Sequence, residues 1–166
     1  MTVAGFDKYL QGVLDKAGDE ARLDGSAAVE AQHLLLAIAA CPSSGAAAGA
    51  LAEAGLDRAA IRAALDREFI HSLHAVGVSP ATFDLPPATP DPHWRPQLGA
   101  SFQLTLERTL RSAAGATPQP AHLLLGILRA EVGTVPRALA LAGVDRSELA
   151  ARVQRTLDQP ASRHRP

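Results

Sequence analysis

One hexapeptide occurs twice in this chain. His33-Leu34-Leu35-Leu36-Ala37-Ile38 returns as His122-Leu123-Leu124-Leu125-Gly126-Ile127. Each copy is followed by a second matching block, Ala54-Gly55-Leu56-Asp57-Arg58 in the first half and Ala142-Gly143-Val144-Asp145-Arg146 in the second. The first blocks are offset by 89 residues and the second by 88, so one residue has been gained or lost in the intervening loop while the flanking helices stay in phase. Ordered, evenly spaced self-similarity predicts a duplicated helical unit.

At 166 residues and 17.3 kDa the chain suits one domain, or two small halves sharing a core. Hydrophobic residues make up 47% and aromatics only 4%, so alanine and leucine must supply most of the packing and the helices must approach closely. A formal charge of −1 gives no electrostatic reason to bind nucleic acid or an anionic membrane over the whole surface. Cys41 is the single cysteine, which rules out an intrachain disulfide and a cysteine-based zinc site built from this chain alone. The first residues lack a basic stretch followed by an apolar one, and no run approaches the roughly 18 apolar residues of a spanning helix. These features predict a cytoplasmic, unexported protein.

Phe6, Tyr9, Leu10, Val13, Leu14, Ala17 and Ala21 fall three or four apart, which predicts a first helix over about residues 5–23. A second, carrying His33 to Ala40, begins near Glu30, an acidic residue suited to the positive end of a helix. Cys41-Pro42-Ser43-Ser44-Gly45 forces a loop, and a short third helix around Leu51 ends at Gly55. Asp57 caps the fourth, which buries Ile61, Leu65 and Phe69, turns Arg58, Arg62 and Asp66 outward, and fades near Gly77. From Val78 to Pro96 the chain is too rich in proline for helix or central strand and reads as a connector.

The second half repeats the plan. Phe102, Leu104 to Leu106, Thr109, Leu110 and Ala113 define a fifth helix closed by Gly115, and Thr117-Pro118-Gln119-Pro120 starts a sixth with His122 in its first turn. Pro136 to Leu141 give a seventh that ends at Gly143. Asp145 to Glu148 has capping-box spacing for an eighth, carrying Leu149, Val153 and Leu157. Residues from Gln159 to Pro166 read as a frayed tail.

These blocks resemble the N-terminal domain of Clp-type unfoldases, the Clp repeat domain. The matching residues are Glu20-Ala21, His33 to Ile38 and Leu51 to Asp57 in one half, and His122 to Leu128 and Leu139 to Asp145 in the other. Phe6-Asp7-Lys8-Tyr9 is similar to the aromatic pair that opens such domains. The resemblance covers about residues 5–157. It implies an all-α fold of two tandem, pseudo-symmetric four-helix repeats: residues 1–77, a proline-rich connector 78–98, a second repeat 99–158 and a flexible tail 159–166.

The resemblance also implies partners: Clp unfoldase and protease components, substrate or adaptor polypeptides, phosphoarginine-tagged chains and cyclic peptide antibiotics. Unfoldases carry ATPase modules, whereas these residues hold no Gly-x-x-x-x-Gly-Lys-Ser/Thr loop. The chain is therefore similar either to stand-alone Clp N-domain proteins of the ClpC type or to an excised receptor domain, and it is expected to be a non-enzyme with no cofactor. Phosphoarginine recognition in the family uses a Thr-Glu pair before the helix histidine, where the acid meets the guanidinium and the helix start meets the phosphate. The corresponding residues are Ala31-Gln32 and Pro120-Ala121, so both carboxylates are missing and tight phosphoarginine binding is not expected. The family's apolar groove between the repeats maps to Phe6, Tyr9, Val13, His93, Trp94 and Leu98. The competing reading makes Phe6 and Tyr9 core residues and Trp94 a pin for the connector.

His33 and His122 recur symmetrically, yet each stands at a helix start without a ligand-spaced partner or nearby nucleophile, which favours a ring bonded to backbone at the cap. His71 and His74, three apart, lack a third metal ligand, and Cys41 has no charged neighbour to activate its thiol. Asp57-Arg58 and Asp145-Arg146 read as solvent-facing helix caps. The expected function is a peptide-binding module of the Clp system acting as adaptor, receptor or decoy. The alternative is a diverged regulatory protein with a partner elsewhere.

Overall fold

The computed structural model describes residues 1–79 and 97–159. Eight helices run through them: α1 Val3–Leu23, α2 Ala31–Ala39, α3 Ala46–Glu53, α4 Arg58–Ala75, α5 Ala100–Ala113, α6 Pro120–Leu128, α7 Thr134–Leu141 and α8 Arg146–Asp158. A 3-10 turn, Pro42–Ser44, leads into α3. Two short strands, β1 Ala28–Val29 and β2 Gln97–Leu98, pair in parallel with Ala28 opposite Gln97 and Val29 opposite Leu98. The sequence had placed Gln97 and Leu98 at the end of the connector; they instead dock beside the loop that precedes α2.

Local chemistry sets the helix ends. Thr2 accepts from the Gly5 amide at 3.2 Å, Asp57 from Ala60 at 2.7 Å, and Asp145 from Ser147 and Glu148 at 2.8 and 3.0 Å. Gly55 and Gly143 stop α3 and α7 at φ of 70° and 73°. The helices that carry the first repeated block and those that lead into the second match in length: α2 and α6 have 9 residues each, α3 and α7 have 8.

The fold is all-α, and the halves are related through their packing. Helix α4 lies against α7 and α3 against α8, two pairs that exchange when the repeats are exchanged, and α2 lies against its own counterpart α6. That reciprocity is the contact pattern of a twofold axis within one chain. The repeated blocks lie at its centre because they have no polar face: Leu34, Leu35, Leu36, Ile38, Leu123, Leu124, Leu125, Ile127 and Leu128 are all fully buried. Each such side chain stabilises the fold by roughly 1.5–3 kcal/mol through apolar area removed from water. One contiguous cluster links these residues to α1, through Phe6, Tyr9, Val13, Ala17 and Ala21, and to α8, through Leu149 and Val153.

Two expectations about buried faces are corrected. Phe69 on α4 is exposed rather than buried, and so are Leu104 and Leu110 on α5. Helix α5 buries Phe102, Thr109 and Ala113 of the positions read from the sequence, together with Thr105. The cause is a close crossing with α6, where a side chain at Gly126 would stand 2.6 Å from the Thr105 carbonyl oxygen. Each threonine satisfies its hydroxyl on its own helix, Thr105 on the Ser101 carbonyl and Thr109 on the Thr105 carbonyl, both at 2.8 Å.

Candidate functional site

The seam between the repeats is organised by Glu30. As the N-cap of α2 it shares a capping box with His33: its side chain accepts from the His33 amide while its own amide donates to His33 Nδ1 at 2.9 Å. Its carboxylate also accepts from the Ser101 amide at 3.0 Å and the Ser101 hydroxyl at 2.5 Å, in the first turn of α5. The Ser101 hydroxyl in turn accepts from the Ala31 amide at 2.8 Å. One carboxylate thus meets orphan amides of two helices, one from each repeat. Gly99 makes the approach possible, because a Cβ there would overlap the Glu30 carboxylate.

The second repeat has the same box in neutral form. Gln119 caps α6, and its amide donates to His122 Nδ1 at 3.0 Å. Both histidines therefore accept at Nδ1, which requires that nitrogen to be unprotonated. His33 directs Nε2 to Asp24 at 3.1 Å. Burial, together with the charge of Arg129, holds the His122 pKa below its usual 6.5.

Asp24 belongs to a run of ionic contacts along α1 and α4. Glu20 is buried and accepts from Arg58 Nε at 2.6 Å, Arg58 Nη2 at 3.0 Å and Arg62 Nη2 at 2.7 Å. Arg62 also pairs with Asp24. Burial opposes ionisation of Asp24, but the His33 hydrogen bond and the Arg62 charge outweigh it, and the pKa falls below 3.8. The hydrogen bond and charge of Glu20 raise that of Arg58. Asp57 caps α4 and Arg58 is exposed as read from the sequence, though Arg58 also reaches a buried acid, and Arg62, read as outward, is half-buried between Glu20 and Asp24. Arg146 likewise turns inward, donating to the Leu128 carbonyl.

Two clefts open at the seam. One, of about 420 Å³, is lined by Gln32, Leu104, Arg108, Val132, Thr134 and Pro136, among others. The other, of about 330 Å³, is lined by Asp24, Arg62, Leu65, Asp66, Glu68 and Phe69 and shares Gln32 and Thr134 with the first. The shared pair makes them two limbs of one groove. Its walls expose apolar side chains: Val132 is 86% exposed, Phe69 60% and Leu104 46%. Glu68 lies buried in its floor, accepting from Arg137 of α7 at 2.6 Å and Ser72 at 2.7 Å, and so ties α4 to the second repeat.

Of the groove residues read from the sequence, Phe6, Tyr9, Val13 and Leu98 lie outside these two clefts. Phe6 at 5%, Tyr9 at 6% and Val13 at 0% exposure are core residues, because the face of α1 that carries them packs on α2. The Tyr9 hydroxyl meets Ser44 Oγ at 3.1 Å, and burial pushes its pKa up to about 12. Leu98 is exposed on β2 and lines a separate shallow cleft with Leu14 and Val29. His93 and Trp94 lie outside the described residues. Of the degenerate phosphoarginine positions, Pro120 and Ala121 are buried, Ala31 lines one cleft with its amide bound to Ser101, and Gln32 lines both. Val132 was not singled out in the sequence. Its signal was an isolated apolar residue between Glu131 and Gly133 in a polar loop.

His71 and His74 are exposed on the last turns of α4, and Cys41 is buried before the 3-10 turn. Among the described residues no three His, Cys, Asp or Glu side chains are grouped to hold a metal, and no helix is long and apolar enough to cross a membrane. A comparison with curated proteins returns no match. The sequence model of the Clp repeat (R) N-terminal domain matches residues 5–116, from the first turn of α1 through α5. With that match over more than half of its length, the chain belongs to the Clp repeat N-terminal domain family.

Proposed function

We propose that this chain is a non-catalytic, cytoplasmic binding module of the Clp system that holds exposed polypeptide in the seam groove, as an adaptor, a substrate receptor or a decoy for Clp-directed peptides. The observation that carries this reading is the continuity of the two clefts through Gln32 and Thr134, with Phe69, Leu104 and Val132 exposed along them. Apolar side chains in a concave, partly polar groove suit an extended peptide whose own side chains enter pockets while its backbone meets polar groups. Candidate partners are Clp subunits, substrate or adaptor polypeptides and cyclic peptides.

Phosphoarginine is not the ligand in this reading. At the start of α2 the Glu30 carboxylate already occupies the place a phosphate would take, and an added anion would meet like charge there. Calorimetry of the chain against apolar linear and cyclic peptides tests the proposal. Micromolar binding is expected, weakened at least tenfold by Phe69→Ala or Val132→Asp. Flat titrations, together with a lysate pull-down that recovers no Clp subunit, would sink it.

A further inference from the structure

The two limbs of the groove differ in charge. Along α4, Arg62, Leu65, Asp66 and Phe69 form a stripe at helical spacing. Asp66 makes no ion pair among the described residues, whereas the limb's other carboxylates, Asp24 and Glu68, are already held by Arg62 and Arg137, so Asp66 is the acid left to meet a ligand cation. In the other limb the only lining acid among the described residues, Glu30, is turned onto amides and a hydroxyl. What remains there is Arg108, which makes no ion pair among the described residues, and the start of α7, whose N-cap Gly133 supplies no side chain to its amides.

We propose that the groove selects an extended peptide segment that is charged at both ends and apolar between: a lysine or arginine in the α4 limb, an aspartate or glutamate in the α5 limb, and apolar side chains against Phe69, Leu104 and Val132. Arg62 to Phe69 spans about two turns of α4, and Ala100 to Arg108 about two turns of α5, roughly 10–12 Å each at 1.5 Å per residue. At about 3.3 Å per extended residue each limb holds about three, so the segment is six or seven residues long. This rests on the peptide-binding reading and adds to it the chemistry of the occupant.

End-blocked, labelled heptapeptides with a common apolar centre test it by fluorescence anisotropy. Four are needed, carrying Lys and Asp at the two ends, Lys at both, Asp at both, or Gln at both. The full chain is expected to bind the Lys/Asp peptide about fivefold more tightly than the Gln peptide, from two exposed pairs, with the preference shrinking in high salt. Asp66→Lys should shift the preference to the doubly acidic peptide and Arg108→Glu to the doubly basic one, each variant keeping the wild-type unfolding midpoint. Equal affinity for all four peptides, or variants that keep the wild-type order, overturns the charge selection while leaving peptide binding intact. If the folded chain binds none of the four, both readings fail.

Discussion

The Glu30 carboxylate accepts two hydrogen bonds from Ser101, one from its amide and one from its hydroxyl, and so joins the start of the second helix of one repeat to the start of the first helix of the other. It serves as cap and clasp together. Glu30→Ala should lower unfolding free energy by about 1–3 kcal/mol, since orphan amides of two helices lose an ionised acceptor. Glu30→Gln should cost less. Urea denaturation of both variants checks the order.

Glu20 is buried against Arg58 and Arg62, with Arg58 the more exposed of the two arginines. Arg62→Ala should destabilise by roughly 3 kcal/mol, because a buried carboxylate loses a partner. Arg58→Ala should cost about 1 kcal/mol or less, since much of that pair is screened by water. Equal losses in chemical denaturation would contradict the assignment of Arg62 as the inner partner.

Stability should depend on pH through His122. Its folded pKa is below 6.5, so the unfolded chain binds the proton more readily. The contribution is fully present above 6.5 and is lost as pH falls through the depressed folded value. His122→Gln keeps an acceptor at the third helical position without a titrating ring, and should flatten the slope of unfolding free energy below 6.5. Asp24, also depressed, supplies a second, more acidic limb that is present above 3.8 and lost as pH falls through its folded pKa.

Gly126→Ala should be among the more damaging small changes. Its added methyl would meet the Thr105 carbonyl oxygen at 2.6 Å and Thr109 Oγ1 at 2.5 Å, forcing α5 and α6 apart. A loss of about 1–3 kcal/mol is expected from overpacking, read as a lowered Tm without loss of helical circular dichroism at 20 °C, a temperature at which roughly that loss leaves a domain folded.

Phe6 and Phe69 should behave oppositely. Phe6→Ala opens a cavity under α1 and should cost about 3–5 kcal/mol, whereas Phe69→Ala, at a side chain 60% exposed, should change stability by no more than about 0.5 kcal/mol. Peptide binding should show the reverse sensitivity at matched folded fractions.

The repeated blocks made α2 and α6 legible, because a run such as His33 to Ile38 with no polar face has nowhere to lie but the centre. The caps at Asp57 and Asp145 and the stops at Gly55 and Gly143 were legible for the same local reason. Faces were harder. On α5 Phe102, Thr109 and Ala113 were read alongside Leu104 and Leu110, and apolar periodicity alone did not separate the buried set 102, 105, 109 and 113 from the exposed leucines.

Sequence alone determined the helices, their order and their duplication, since these follow from periodicity, capping and turn chemistry within a few residues of each other. Tertiary structure decided which residues face the seam. Glu30 finds Ser101 across 71 residues, α4 meets α7, and Gln32 and Thr134 come to line the same clefts only after the repeats fold together. A groove formed between two packed surfaces is set by how closely their backbones approach, and that distance is written in no single stretch of chain.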